Sequence, residues 1–318
     1  MNGYTLRLWA AGSNSRRAAL LAAVLSLFPS PASAKLNVVA TTADLASLAK
    51  VVGGEEISLT TLAKPTEDPH FVDAKPSFVL KLNHADVLIE GGAELEIGWL
   101  PPLLEGSRNP KIAAGAPGRV ACAEGLSLLE VPTALDRSKG DIHAAGNPHY
   151  LVDPVNAKAV AGRICDALCQ ADAKSSERYH ANLGAFTQLL DTKLDEWQKL
   201  LAPFNGQHLV AYHNMWPYFG RRFGLQIDLF LEPKPGIPPS PAHLADVINR
   251  IKTGKIRAII VEPYQSRKTA EKVAADTGAA VLDVTQYPGG LKETQEGYVA
   301  MMDYLVQTLV KGLKAEAR

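Results

Sequence analysis

The chain has 318 residues, of which 47% are apolar and 21% charged, and its 33 Lys and Arg balance its 33 Asp and Glu. These are the proportions of an ordinary soluble globular protein, and the length allows one large domain or two of ordinary size. Nucleic acid is not an expected partner, because no basic surplus exists to neutralise phosphates and Lys and Arg do not cluster among aromatic residues.

The first 34 residues follow the order of a secretory signal peptide. Arg16 and Arg17 precede an apolar run at residues 18–28, and residues 31–34 end in a small-x-small pattern. The apolar run has about 11 residues, whereas a membrane-spanning helix needs about 20. We therefore predict a cleavable signal peptide over residues 1–34, with the mature chain starting near Lys35. No Cys follows the cleavage site, so no lipid anchor is expected.

The mature chain contains three cysteines: Cys122, Cys165 and Cys169. Cys165 and Cys169 are four residues apart in a helical stretch, which places them on one face. Two thiolates are a conceivable metal site, but no partner residue lies near them in the sequence. Small buried apolar residues, or one disulfide, are the favoured interpretations.

Short β-branched runs alternate with helical stretches, a pattern that predicts an α/β fold with parallel sheets. A first series of strands is predicted at residues 36–42, 56–63 and 86–91, with Asp44 capping the helix after the first strand. Residues 95–104 form an apolar, helical stretch broken by Pro101 and Pro102. A second series of strands is predicted at residues 209–212, 226–231, 257–262 and 279–284.

A long helical stretch separates the two series. Residues 171–201 contain no Pro and only one Gly, Gly184, and their apolar residues recur at helical spacing. A continuous helix of this length would extend about 46 Å. We predict two α/β lobes with parallel sheets, residues 35–170 and 204–318, joined by one long rigid linking helix at residues 171–203. Residues 130–148 are predicted to be a surface loop.

The dipeptide Pro-His occurs twice in similar settings. Asp68-Pro69-His70-Phe71 is echoed by Asn147-Pro148-His149-Tyr150, and an Asp follows each soon after. Pro restricts the backbone immediately before each His, so that the histidine loses little conformational freedom when it binds a metal. Asp153-Pro154 is in addition a good helix N-cap and first-turn pair.

Two further candidates lie in the second series of strands. His213 follows one predicted strand, and Asp283 lies near the end of another. Ligands of open α/β sheets bind beyond the carboxyl ends of the strands. Because His70 and His149 belong to the first lobe, the four side chains predict a metal site in the cleft between the lobes.

Three imidazoles and one carboxylate form a four-coordinate set suited to Zn²⁺. Four protein ligands leave no open position for water or substrate, and the sequence has no His-Glu-x-x-His helix, so we predict binding and no enzymatic activity. Glu262 is an alternative carboxylate, ranked below Asp283. The remaining histidines are treated as non-ligands; they are His84, His143, His180, His208 and His243. His143 is the least secure of them, because a loop histidine near the site could help to recruit metal.

At these residues the chain resembles the zinc and manganese substrate-binding proteins of ABC importers. The resemblance covers nearly the whole mature chain, from Val38-Val39-Ala40-Thr41-Thr42 through both Pro-His segments and Tyr212-His213 to Leu282-Asp283. The family has two lobes around a rigid linking helix. Its metal ligands, carried over to this chain, are His70, His149, His213 and Asp283.

The resemblance implies a periplasmic, monomeric receptor that captures Zn²⁺ and delivers it to an ABC permease and its ATPase in the inner membrane. The third ligand is often Glu in manganese-selective relatives, so His213 indicates zinc. The long His- and acid-rich loop of many zinc receptors is missing, which leaves loading either unaided or assisted by a periplasmic metallochaperone. Alternatives are a manganese or iron receptor of the same fold, a secreted zinc hydrolase, and an adhesin that binds metal incidentally.

Overall fold

The computed structural model describes residues 1, 3, 34–133, 143–234 and 236–314. The predicted signal peptide lies almost entirely outside the described residues, as do residues 134–142 of the predicted loop. From Leu36 onward the chain forms one compact unit. No helix in the described part of the chain is long and apolar enough to cross a membrane.

The first lobe is built on a four-stranded parallel sheet. Its strands are β1 (Leu36–Ala40), β2 (Ile57–Thr61), β3 (Val87–Glu90) and β4 (Arg119–Ala121), in the order β2-β1-β3-β4. Its helices are α1 (Ala43–Gly53), α2 (Pro76–Asn83) and α3 (Leu100–Ser107). Strand β3 is buried along its whole length, as expected for a parallel strand covered on both faces.

The second lobe repeats this plan. Its strands are β5 (His208–Ala211), β6 (Gln226–Phe230), β7 (Ala258–Val261) and β8 (Ala280–Asp283), all parallel and in the order β6-β5-β7-β8. Its helices are α6 (Pro217–Phe223), α7 (Pro241–Gly254) and α8 (Arg267–Thr277). Ser240 caps α7, since its Oγ accepts from His243 N, and Gly278 ends α8 in the left-handed region with a φ of 77°.

Two long helices lie between the sheets in sequence: α4 (Pro154–Ala171) and α5 (Ser176–Leu201). Helix α5 has 26 residues, or about 39 Å, and joins the two lobes. It packs against α1, α4 and the C-terminal helix α9 (Tyr298–Lys314). The Trp197 indole, fully buried on α5, donates to Asp303 on α9 at 2.8 Å. The predicted fold of two parallel-sheet lobes joined by a long helix is therefore confirmed.

Several boundaries differ from the prediction. The linking helix begins at Ser176 instead of residue 171, because the non-helical backbone of Asp172 separates it from α4. Thr42, rather than Asp44, is the residue before α1. Pro101 and Pro102 do not break a helix; they lie in the first turn of α3, where a missing N–H costs nothing. Helices α2 and α9 and strand β4 were not predicted.

Hydrogen bonds hold the segment around His149 against the second lobe. The buried carboxylate of Asp153, which caps α4, accepts hydrogen bonds from Nε and Nη2 of Arg222 on α6, at 2.8 and 2.9 Å. Tyr298 Oη donates to Leu151 O at 2.6 Å, and Tyr218 Oη donates to Asn147 O at 2.7 Å. These bonds fix the loop that carries His149 in position against the second lobe.

Candidate metal centre

Three of the four predicted ligands converge in one cluster. His70, His149 and His213 each offer a ring nitrogen, and these nitrogens lie within 4.8 Å of one another. The ring centroids are 5.2 Å apart for His70 and His149, and 5.8 Å apart for each pair that includes His213. His149 is buried, whereas the other two are half-buried.

His70 is positioned by the turn that carries it. The indole Nε1 of buried Trp99 donates to Pro69 O at 2.8 Å, which anchors the residue before the histidine. Asp68 Oδ1 accepts from His70 N at 3.0 Å and contacts His70 Nδ1 at 2.9 Å. The turn therefore fixes both the backbone and the ring orientation of His70.

His149 sits on a loop that depends on Gly146. Gly146 has a φ of 113°, and a Cβ at this position would lie 2.8 Å from Leu129 O, so a side chain is excluded there. Asn147 Oδ1 then accepts from His149 N at 3.0 Å. The amide of Asn147 donates to Asn214 O at 3.0 Å, which links this loop to the residue after His213.

His213 lies two residues beyond β5. Its Nδ1 is hydrogen-bonded to Glu232 Oε2, a carboxylate that follows the neighbouring strand β6. Carboxyl ends of adjacent parallel strands meet at one edge of a sheet, which explains why residues 19 positions apart are in contact.

The two carboxylates determine which ring nitrogens can bind a metal. Ionised carboxylates only accept, so His70 and His213 donate to them from Nδ1 and keep a lone pair on Nε2. Burial alone would raise the pKa of Asp68, but the hydrogen bond and charge of His70 outweigh it and lower that pKa below its ordinary value. Asp68 is therefore an ionised acceptor at neutral pH.

His149 shows most directly that the cluster suits a cation. Its Nε2 is buried and has no hydrogen-bond partner among the described residues, an arrangement that costs free energy unless something binds there. Burial, followed by the charges of His70, His213 and His143, lowers the pKa of His149 well below 6.5, so the ring is neutral. Tetrahedral zinc with Zn–N bonds of about 2.0–2.1 Å needs nitrogens about 3.3 Å apart, which a small contraction of this cluster would provide.

His143 also reaches the cluster, although we treated it as a non-ligand from the sequence. Its Nε2 lies 3.2 Å from His70 Nε2, and the ring centroids are 5.1 Å apart. Ala144 N donates to Glu94 Oε2 at 2.5 Å, which anchors the adjacent backbone. Burial, with the charges of His70 and His213, lowers the pKa of His143 to about 4. Its position in a loop gave no periodic signal from which this could be predicted.

Asp283 is the predicted ligand that the structure does not bring to the cluster. It is the last residue of β8, the edge strand, and two strand spacings of about 4.8 Å separate β8 from β5, which leads to His213. Its carboxylate pairs with Arg267, and the side chain is 48% exposed. The role of Asp283 as a ligand stays a prediction that requires Arg267 to release it. Glu262 is also outside the cluster and accepts from the backbone N–H of Gln286 at 3.1 Å.

A cavity of about 300 Å³ opens beside the histidines. Its wall includes both outer carboxylates, Asp68 and Glu232, and the side chains of Phe71, Tyr212 and Tyr264. Phe71 is 64% exposed at the rim. The acidic and aromatic wall gives a cation a route to His70 and His213, whereas His149 lies behind them in the protein interior.

Comparisons with known proteins identify the family and the fold. A protein-family model described as "ZnuA: Zinc-uptake complex component A periplasmic" matches residues 38–312. The chain is 26% identical over 287 residues to the iron ABC transporter substrate-binding lipoprotein MtsA of Streptococcus pyogenes serotype M1, covering 88% of this chain and 89% of that protein. It is 25% identical to the manganese ABC transporter substrate-binding lipoprotein PsaA of Streptococcus anginosus, with the same coverage.

The fold is likewise similar to solved structures. The zinc-bound 138–173 deletion mutant of ZnuA superposes with a TM-score of 0.74 at 23% identity, covering 89% of this chain and 99% of that one. At this level of identity the similarity extends to the fold alone. Two of the relatives above are named for different metals, MtsA for iron and PsaA for manganese.

Proposed function

The chain belongs to the family of periplasmic zinc-uptake component A proteins, substrate-binding components of metal ABC transporters, and from this premise we propose that it captures Zn²⁺ and delivers it to an ABC importer. The observation that supports the proposal most is the convergence of three imidazoles, one of which, His149, is neutral and has a buried nitrogen without a hydrogen-bond partner. In this role Zn²⁺ is the transported substrate.

The donor set favours zinc over manganese. Imidazole suits Zn²⁺, Cu²⁺, Fe²⁺ and Ni²⁺, whereas Mn²⁺ prefers sites rich in oxygen. His70, His149 and His213 bind the ion through nitrogen, and Asp68 and Glu232 hold two of the rings in the required tautomer. The two carboxylates also offset the cation's charge without occupying coordination positions.

His143 is the nearest candidate for the fourth position. Because His70 donates from Nδ1 to Asp68, the 3.2 Å contact between the Nε2 atoms requires His143 to donate to His70 in the metal-free protein. Metal binding must therefore free the His70 lone pair. His143 then changes tautomer and joins the ion through Nε2.

The partners follow from the family. A substrate-binding component acts with an ABC permease and its ATPase, so we propose handover to such a pair in the inner membrane. Loading by a periplasmic metallochaperone is part of the same proposal, because His143 is the only histidine in the loop at residues 130–148, which therefore lacks the histidine-rich segment that could collect metal. Location in the periplasm after cleavage of residues 1–34 is also proposed; the relatives MtsA and PsaA are described as lipoproteins.

A manganese or iron receptor is the second candidate, because relatives of similar length carry those names. It would need oxygen ligands in addition to the three imidazoles, and Asp283 is the carboxylate that could supply one after release from Arg267. The choice between the two candidates therefore depends on the relative affinities for Zn²⁺ and Mn²⁺.

The test is a chelator-competition titration of the metal-free protein with Zn²⁺ and with Mn²⁺. It is carried out with the Cys169→Ser variant, because Cys165, Cys169 and His180 form a second group of potential metal ligands among the described residues. We expect one tight zinc site that His149→Ala abolishes and that His208→Ala, at an exposed histidine paired with Asp228, leaves intact. Tighter binding of Mn²⁺ than of Zn²⁺, or no binding of either ion, would overturn the proposal.

A further inference from the structure

A second group of metal-binding side chains lies away from the histidine cluster. Cys165 Sγ and Cys169 Sγ are 4.0 Å apart, and each lies 3.6 Å from a ring nitrogen of His180. One potential ligand atom from each residue lies within 4.8 Å of those of the other two. All three cysteines of the chain are free thiols.

The fold creates this group from residues that are distant in sequence. Cys165 and Cys169 lie one turn apart on α4, and His180 lies on α5 after the break at Asp172 reverses the chain. Cys165 is eleven residues into α4, or about 16 Å along the helix from the end that follows His149. The group is therefore separate from the cavity between the lobes.

We propose that Cys165, Cys169 and His180 form a second metal site for a thiophilic cation of the Zn²⁺ and Cu⁺ class. Two sulfurs and one imidazole are the donors that such cations prefer, and hard cations such as Mg²⁺ and Mn²⁺ are disfavoured by them. The site differs in this respect from the histidine cluster, which contains no sulfur.

The spacing of the three side chains fits this chemistry. Zn–S bonds of about 2.3 Å and a Zn–N bond of about 2.0–2.1 Å in a tetrahedron place the sulfurs about 3.8 Å apart and each sulfur about 3.6 Å from the nitrogen. The sulfurs are 4.0 Å apart, Cys165 Sγ lies 3.6 Å from His180 Nδ1, and Cys169 Sγ lies 3.6 Å from His180 Nε2. The two sulfurs face different nitrogens of the same ring, so a rotation of the His180 ring is the adjustment that metal binding requires.

Access and consequences follow from burial. Cys165 is buried, Cys169 is half-buried and His180 is exposed, so a cation reaches the site from solvent and is held against the helix pair. Three protein ligands leave a fourth position open to solvent or to a donor from another molecule. A metal bound here joins α4 to α5, the helix that links the lobes, and should stabilise the fold by mass action.

The experiment is a Co²⁺ titration of the purified, fully reduced protein under anaerobic conditions, followed by absorption spectroscopy. Cobalt bound by thiolate gives a sulfur-to-metal charge-transfer band in the near ultraviolet, which an all-nitrogen site does not give. We expect this band to saturate at one equivalent in His149→Ala, where the histidine cluster is disabled. It should persist in Cys122→Ser, a matched control at a buried thiol that lies outside the group.

The same band should be absent in Cys169→Ser. In His180→Ala the affinity for Co²⁺ should fall at least roughly tenfold, because loss of a direct ligand should weaken binding no less than loss of an outer-shell partner does. Displacement of Co²⁺ by Zn²⁺ and by Cu⁺ then identifies the preferred cation. In His149→Ala, zinc should also raise the midpoint of thermal unfolding, and Cys169→Ser should cancel that rise.

Two results would overturn the proposal. One is the absence of a charge-transfer band in the folded, reduced protein, or its persistence in Cys169→Ser. The other is a disulfide between Cys165 and Cys169 in protein isolated from its native compartment, recognised as one remaining thiol among three cysteines after denaturation. Either result would leave the zinc titration at the histidine cluster unaffected.

Discussion

Replacing Asp68 by Asn tests whether the outer carboxylates prepare the histidines for metal. The substitution keeps the size of the side chain but removes the ionised acceptor that holds His70 in its Nδ1–H tautomer. An amide can turn its NH₂ group toward Nδ1, which would stabilise the opposite tautomer and place a proton on Nε2. That proton must be lost before His70 can bind a cation.

The size of the effect follows from the contacts. Loss of an outer-shell partner typically weakens metal binding 10- to 100-fold, or about 1.4 to 2.7 kcal/mol. The Asp68 side chain is 37% exposed, so we expect a loss near the tenfold end. The Glu232 side chain is only 13% exposed, so Glu232→Gln should approach a 100-fold loss. Because the two carboxylates act on different ligands, the double variant should combine both losses.

The assay is zinc affinity by competition with a chelator of known affinity, at neutral pH and fixed ionic strength. Asp228→Asn is the matched control, because Asp228 contacts His208 at 3.4 Å in an exposed pair outside the cluster. We expect wild-type affinity in the control. Binding by Asp68→Asn within a factor of about two of wild type would refute the tautomer argument, since even a weak outer-shell contact should exceed that. So would an equal loss in the control.

Three further predictions concern ligands, pH and stability. His143→Ala should weaken zinc binding, whereas Asp283→Asn should leave it unchanged, because Arg267 holds the Asp283 carboxylate in the wild type. A larger loss of zinc affinity in Asp283→Asn than in His143→Ala, measured by competition titration, would return Asp283 to the ligand set. His149 is neutral in the folded protein, because burial lowers its pKa well below 6.5, but it titrates near 6.5 in the unfolded chain, so unfolding takes up a proton below that pH. As the pH falls below 6.5, the free energy of unfolding of the metal-free wild type should therefore decrease by up to about 1.4 kcal/mol more per pH unit than that of His149→Gln. Equal dependences of this free energy on pH in denaturant titrations of the two proteins would contradict the prediction. Arg222→Leu leaves the buried Asp153 carboxylate unpaired and should cost about 3 kcal/mol in urea unfolding, and a loss no larger than that of the exposed Arg221→Leu would disprove the role of this ion pair.

Much of the fold was predictable because parallel strands and helices leave strong periodic signals. Seven strands were predicted within two residues of their observed ends, since buried β-branched runs are distinctive in sequence. Strand β4 has only three residues, Arg119–Ala121, too few for any alternation to appear. The interruption at Asp172 was missed because no Pro or Gly marks it.

The site was only partly predictable, for reasons of tertiary structure. The convergence of His70, His149 and His213 was predictable because each follows a strand or a restrained Pro-His turn. The position of Asp283 depends on the order of strands in the second sheet, which places β8 at the edge. Sequence order alone does not reveal that arrangement. His143 was not assigned as a ligand, because its contact with His70 joins residues 73 positions apart and His143 lies in a loop.

The pairing of His180 with two cysteines was unpredictable for a related reason. The three residues look unrelated along the chain until α4 and α5 pack as neighbours. The contacts of Asp68 and Glu232 with the histidine rings were likewise not predicted, since Glu232 and His213, for example, follow different strands. Side-chain pairs of this kind depend on strand order and helix packing, which periodicity does not encode.

The most direct test of metal capture by the histidine cluster is zinc-edge X-ray absorption of the Cys169→Ser variant loaded with one equivalent of Zn²⁺. We predict a first coordination shell at about 2.0–2.1 Å with the multiple-scattering pattern of at least three imidazoles. The number of imidazoles that fits the spectrum should be lower by one in Cys169→Ser/His70→Ala. A shell of oxygen atoms with fewer than two imidazoles would contradict the account.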